Sequence, residues 1–306
     1  MSSALQAERI GFIGLGIMGQ SMAGHILAAG YEVHVFSRTK EKAEALLEAG
    51  AVWHDTPASL ARVCNVVITM VGYPHDVEAV YLGDDGLVPN MAPGGLVIDM
   101  TTSQPALARR IHAQAAERGI AALDAPVSGG DVGARNATLA IMVGGDEAAY
   151  LRALPLFQVM GKSIALLGGA GAGQHTKMVN QIVIAGTIVG VAEALSYGAH
   201  AGLDLEKVLG VIGGGAAGGF QLNVLGKRMS EGDFAPGFFV HHFLKDMGIA
   251  ASEAEAMGLD LRGLQTALHQ FGRFAEQGGR ECGTQGIFTL YQQQGQGAGP
   301  LADGSE

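Results

Sequence analysis

At 306 residues, 48% of them hydrophobic and 16% charged, the chain has the apolar content for a packed core and the length for two domains, which excludes a disordered polypeptide. A formal net charge of −10 without a local Lys/Arg cluster excludes a nucleic-acid footprint, so any anionic ligand must be held by a few placed cations and backbone N–H groups. Cys64 and Cys282 form neither a disulfide framework nor a metal-binding thiol cluster. The opening MSSALQAE lacks a secretion pattern, and no segment offers about 18 uninterrupted apolar residues outside an amphipathic pattern, so a cytoplasmic protein without membrane contact is expected.

Residues 9–14, RIGFIG, are an apolar run that breaks into glycines before the periodic stretch 17–29, the pattern of strand, turn and helix. EVHVF at 32–36 predicts a second strand, and the i,i+4 charges of 39–49 predict a helix. Strands are predicted at 65–70, 95–99, 120–124 and 138–143, with helices at 76–81, 105–118 and 146–158. This alternation makes residues 1–170 an α/β domain built on a doubly wound parallel sheet. From GGAGAGQ onward the pattern changes. The stretch 174–201 predicts one long, apolar, buried helix, either the centre of its domain or part of a subunit interface, so a homodimer or homotetramer is expected. Helices at 204–212, 221–231, 241–257 and 261–277 complete an all-α domain over 171–290. GGGAAGG at 213–219 follows a helix and reads as a loop, with Phe220 beside it. Trp53 belongs to the core or a sheet edge. The Gly- and Gln-rich residues 291–306 predict a disordered tail.

Gly14, Gly16 and Gly19 spell GxGxxG between the first strand and the first helix. The first glycine permits the turn, the second lets the backbone approach a pyrophosphate, and the third allows close helix packing, with the helix N-terminus facing the phosphates. Leu15, Ile17 and Met18 complete that loop, and Met70 and Val71 after the 65–70 strand join the cofactor site. The second strand ends in Ser37, Arg38 and Thr39 rather than a carboxylate. A guanidinium and two hydroxyls suit a ribose 2′-phosphate, which favours NADP over NAD. Ten histidines include His175 and the pair His241–His242, but no spacing with thiols or carboxylates suggests a metal.

GFIGLGIMG, DMTTSQP at 99–105, DAPVSGG at 124–130, GAGQHTKMVNQ at 171–181 and the Lys245–Asp246 pair together resemble the β-hydroxyacid dehydrogenases. That group contains 3-hydroxyisobutyrate dehydrogenase, tartronate semialdehyde (2-hydroxy-3-oxopropionate) reductase and the glyoxylate/succinic semialdehyde reductases. The resemblance runs from about residue 9 to 290. It implies a Rossmann-type NADP-binding domain, a helical substrate and dimerisation domain, and a small hydroxy or aldehyde acid as substrate, bound where the two halves meet. It implies that Thr102 lies beside the nicotinamide, that Ser128 with Gly129 and Gly130 anchors the substrate carboxylate, and that Lys177 is the acid/base. Reducing a carbonyl leaves an alkoxide, so a cation placed at that oxygen both stabilises it and supplies the proton. Burial beside an apolar ring lowers a lysine's proton affinity, which the oxidative direction needs. Where the family often has Asn four residues after the lysine, this chain has Gln181, preceded by Asn180. Lys245 matches a lysine near the nicotinamide ribose, Asp246 orients Lys177 or Lys245, and Phe238 lines the pocket. Alternatives on the same architecture are a larger-acid dehydrogenase of the 6-phosphogluconate type, an imine reductase, and a catalytically silent dinucleotide-binding module. Lys177 speaks against the last two.

Overall fold

A computed structural model describes residues 8–292 of the chain. Tertiary contacts divide it into two compact units, with the boundary between Val179 and Asn180. The first unit opens with β1 (Arg9–Ile13), α1 (Ile17–Ala28), β2 (Glu32–Phe36), α2 (Glu44–Glu48), β3 (Val52–Trp53), α3 (Pro57–Ala61), β4 (Val66–Thr69), α4 (Pro74–Leu82), α5 (Leu87–Asn90), β5 (Leu96–Asp99), α6 (Pro105–Ala116) and β6 (Ala121–Asp124). These six strands form one parallel sheet in the order β3-β2-β1-β4-β5-β6, so the chain reverses its direction of travel at β1 and β4. The strands alternate strictly between two apolar layers, as the two-residue period of a strand demands. Ile10, Phe12, Val66, Ile68, Leu96 and Ile98 face Met22 and Ile26 of α1, while Ile13, Val67 and Val97 face Leu60, Val77, Tyr81, Leu107 and Ile111. Each such fully buried side chain contributes about 1.5–3 kcal/mol.

A second sheet follows, formed by β7 (Val127–Ser128), β8 (Leu139–Val143) and β9 (Gly161–Leu166), with α7 (Gly130–Arg135) and α8 (Glu147–Gln158) between them. The expected strand at 138–143 therefore exists but does not belong to the parallel core sheet. It is the middle of this three-stranded sheet, antiparallel to β7 and parallel to β9. The helix expected at 39–49 is a 3-10 turn at Lys40–Ala43 that runs into the short α2. Trp53 sits on the edge strand β3, against Phe36.

Helix α9 (Ala172–His200) leaves the first unit and enters the second. The second unit continues with α10 (Leu205–Ile212), a π-helical turn at Gln221–Gly226, α11 (Lys227–Ser230), α12 (Val240–Ala256), α13 (Arg262–Glu276) and α14 (Phe288–Gln292). By length and composition alone α9 is apolar enough to cross a membrane, where no such segment was expected. The helix is not buried all round as expected. Gln181, Ala185, Ile188, Ala192 and Leu195 are buried, whereas Val179, Val183, Gly186, Gly190, Ala194 and Tyr197 form one exposed stripe. Tyr291 and Gln292, the first residues of the expected tail, end in α14; residues 293–306 lie outside the described residues.

Candidate active site

The glycine loop lies at the carboxyl end of β1, where the strand order reverses, the general position for a ligand in an open α/β sheet. Gly14 adopts φ 95°, and a Cβ there would overlap the Met70 carbonyl; a Cβ at Gly19 would overlap the carbonyl of Gly14. Around Gly16 a Cβ would meet nothing within 4 Å. The first and third glycines are thus required by the protein's own packing, and the second leaves open space. Helix α1 starts after Gly16 with no side-chain cap and no acidic residue in its first turn. Its leading N–H groups are available to an anion, so the loop fits a dinucleotide pyrophosphate.

Ser37, Arg38 and Thr39 follow β2, with Arg38 81% exposed. Its Nη1 lies 3.1 Å from Asp76 Oδ1, while Asp76 Oδ2 accepts the Tyr73 N–H at the start of α4. The guanidinium that the sequence offered to a phosphate already has a carboxylate beside it.

A buried polar layer underlies Met70, Val71 and Thr102. The Val71 N–H donates to Thr101 Oγ1 at 3.0 Å. Asp99, which ends β5, accepts from Thr69 Oγ1 and from the Thr101 N–H, both at 3.0 Å, and Thr69 Oγ1 is 2.9 Å from the Tyr81 hydroxyl. Burial pushes the Asp99 carboxyl up to about 6, against the opposing pull of the hydrogen bonds from Thr101 and Thr69.

The second polar layer holds the start of α9. Asp124, which ends β6, accepts the Gly171 N–H at 2.7 Å and the Gln174 N–H at 2.8 Å. Burial raises its pKa, while those backbone donors act to lower it. The Gln174 side chain accepts the Ser103 N–H at 2.8 Å and donates to the Thr101 carbonyl at 2.7 Å. Lys177, one turn further along, is 6% exposed. Ser128 closes β7, and Gly129 and Gly130 turn the chain into α7 with φ of 128° and 61°. His175 contacts Arg109.

In the second unit Gln181 Nε2 donates to Asp246 Oδ2 at 2.7 Å and its Oε1 accepts from Asn180 at 2.7 Å. Asp246 Oδ1 is 3.1 Å from Lys245 Nζ, an ion pair with one of the two lysines expected beside it. Phe238 packs edge-on against Phe243 at 5.7 Å. Burial, with His241 and Lys245 nearby, lowers the pKa of His242 to about 4.

Sequence reasoning passed over Thr69, Tyr81, Asp99, Thr101, Asp124 and Gln174. Asp99, Thr101, Asp124 and Gln174 lie inside the motifs it quoted, but as polar residues with no local pattern of their own.

Residues 9–169 match the family described as the NAD-binding domain of 6-phosphogluconate dehydrogenase. Residues 171–291 match the family described as NAD-binding of NADP-dependent 3-hydroxyisobutyrate dehydrogenase. An uncharacterized oxidoreductase of Bacillus subtilis, YkwC, is 54% identical over 93% of this chain and 99% of its own length. The 2-hydroxy-3-oxopropionate reductase of Escherichia coli is 40% identical over 89% and 93% of the respective chains. The structure of Mycobacterium tuberculosis 3-hydroxyisobutyrate dehydrogenase with L-serine superposes with a TM-score of 0.86, at 31% identity, covering 92% of this chain and 98% of that one. The glycine loop and these likenesses over both units make the chain a member of the β-hydroxyacid dehydrogenase family, the NAD(P)-dependent oxidoreductases of hydroxy acids.

Proposed function

We propose that the protein is an NADP-dependent reductase of short semialdehyde acids, of the 3-hydroxyisobutyrate dehydrogenase or 2-hydroxy-3-oxopropionate reductase type, with Lys177 as its acid/base. The observation that carries this reading is the burial of Lys177, 6% exposed on a helix whose first turn is bonded to the segment around Thr102. A cation held there in low dielectric acts strongly on a developing alkoxide. NADP(H), when bound, supplies or accepts the hydride. Gly14 to Gly19 hold its pyrophosphate, Ser37, Arg38 and Thr39 its 2′-phosphate, Met70, Val71 and Thr102 the nicotinamide side, and Lys245 the ribose. Ser128 with the Gly129 and Gly130 backbone binds the substrate carboxylate. Asn180, Gln181, Phe238 and Asp246 shape the rest of the substrate site. In reduction Lys177 donates its proton to the alkoxide oxygen, and in oxidation it takes that proton back.

Residues 1–170 serve as the NADP-binding domain and 171–290 as the substrate and dimerisation domain. The exposed apolar stripe of α9 is the surface through which copies associate in the cytoplasm. The chemistry is tested by following reduced-nicotinamide absorbance with NADPH and then NADH. The acids to offer are glyoxylate, succinic semialdehyde, tartronate semialdehyde and methylmalonate semialdehyde, beside a Lys177→Ala control. NADPH turnover that vanishes in the control supports the assignment. NADPH binding with no acid turned over sinks it in favour of a larger acid, an imine or a silent module.

A further inference from the structure

The polar contacts around the start of α9 place one side chain in a position that none of the roles above uses. Gln174 is fully buried, and its carboxamide bonds to the main chain on both sides of Thr102: Oε1 takes the Ser103 N–H at 2.8 Å and Nε2 gives to the Thr101 carbonyl at 2.7 Å. It thereby satisfies the alternate donor and acceptor that a neighbouring strand would otherwise pair, just beyond the end of β5. The same residue's backbone N–H is held by Asp124, which also takes the Gly171 N–H. The first turn of α9 is therefore fixed at two strand ends at once. Three residues on, at the i,i+3 spacing that shares a helix face, stands Lys177.

We infer that Gln174 is a positioning residue, which fixes Lys177 at a set distance from the segment carrying Thr102 and so aligns the proton donor with the nicotinamide. This rests on the roles proposed above for Lys177 and Thr102. A carboxamide supplies one donor and one acceptor at this site at every pH. A carboxylate would set an acceptor against the Thr101 carbonyl, and an apolar side chain would leave the Ser103 N–H and the Thr101 carbonyl buried and unpaired. A protonated carboxylic acid, however, restores one donor and one acceptor. Gln174→Glu should therefore be repaired by acid, which gives the role a signature that ordinary packing lacks.

The ionisable groups joined to this site are Asp99 through the Thr101 N–H, Asp124 through the helix backbone, and Lys177 on the same helix; His175, paired with Arg109, precedes them. The acid response of the variant must therefore be read against that of the wild type, which carries the same groups.

The experiment uses the full chain, NADPH, and whichever of the four acids named above is turned over fastest, with binding sites counted by NADPH titration. Gln174→Met should bind NADPH within about 3-fold of wild type, lose at least 30-fold in kcat per site, and show a larger isotope effect with 4-deuterated NADPH. Gln174→Glu should recover relative to wild type as the pH falls from 8 to 5.5. Wild-type kcat per site in Gln174→Met, or a Gln174→Glu deficit that does not change with pH, would overturn the inference. If Gln174→Met does not fold, the pH response of Gln174→Glu decides. Lys177→Ala separates the two levels: retained activity there defeats the acid/base reading and this inference with it, whereas a dead Lys177→Ala beside a normal Gln174→Met defeats the inference alone.

Discussion

Asp99 in the sheet unit and Asp246 in the helical unit are both shut off from solvent, at 5% and 2% exposure, yet their partners differ in kind. Asp99 has a hydroxyl and a backbone N–H, from Thr69 and Thr101, and its carboxyl is pushed up to about 6. Asp246 has an ammonium and a carboxamide, from Lys245 and Gln181. The carboxyl edge of a parallel sheet leaves backbone donors free where the strands end, so a carboxylate there can be satisfied without a cation. Inside a helix every N–H is already committed to the carbonyl four residues back, so a buried carboxylate in the helical unit must be matched by side chains. The first arrangement depends on loop geometry and the second on charge.

Breaking the charge-matched site should have the largest effect. Asp246→Ala removes the carboxylate that lies 3.1 Å from the Lys245 ammonium and accepts from the Gln181 amide. Removing one partner of a buried ion pair costs about 3–5 kcal/mol. Urea unfolding should show that loss, and adding Lys245→Met should restore most of it. A single variant that loses under about 1 kcal/mol would mean that the pair is not a buried ionic contact in solution.

The sheet-end site should respond to pH instead. Because the folded-state pKa of Asp99 is raised, the protonated form is favoured in the fold. Its stabilisation is full below the unfolded carboxylate pKa near 4 and is lost as pH rises through about 6. Asp99→Asn keeps an acceptor for Thr69 and Thr101 but cannot ionise. Relative to wild type the variant should gain about 2 kcal/mol between pH 4 and pH 7, measured by denaturant unfolding at each pH. A constant difference across that range would show that Asp99 does not titrate there.

The same contrast governs what could be read from the sequence. The glycine loop was legible because one short window contains the strand, the turn and the helix start, and because the packing at Gly14 and Gly19 leaves no room for any other residue. Strand β9 was missed because Lys162 and Ser163 face solvent and interrupt its apolar signal. Leu139–Val143 reads as a strand from its residues, but nothing in its pattern tells which sheet it joins. Gln174 was illegible for a different reason. Its side-chain partners lie 71 and 73 residues away, and a lone glutamine near a helix start carries no local sign of a distant loop. Lys177 is nominated as the acid/base only because neighbouring motifs point to it.

The smallest effect expected concerns a third carboxylate, whose arginine partner stands at the surface, where solvent screens the pair. Asp76 sits 3.1 Å from Arg38 but only 13% of its side chain is exposed, against 81% for the arginine. If Arg38 receives the ribose 2′-phosphate, Asp76 competes with that phosphate for the same guanidinium. Asp76→Asn retains an oxygen for the Tyr73 N–H at the start of α4 and removes only the charge. Exposed pairs of this type are worth about 0.2–1 kcal/mol, so NADPH should bind roughly 1.5- to 5-fold more tightly while NADH is unaffected. Raising the salt concentration should shrink the difference, because the competition is between screened charges. Equal changes for the two cofactors in a titration followed by fluorescence would place Arg38 away from the 2′-phosphate and leave the proposed preference for NADP resting on Ser37 and Thr39.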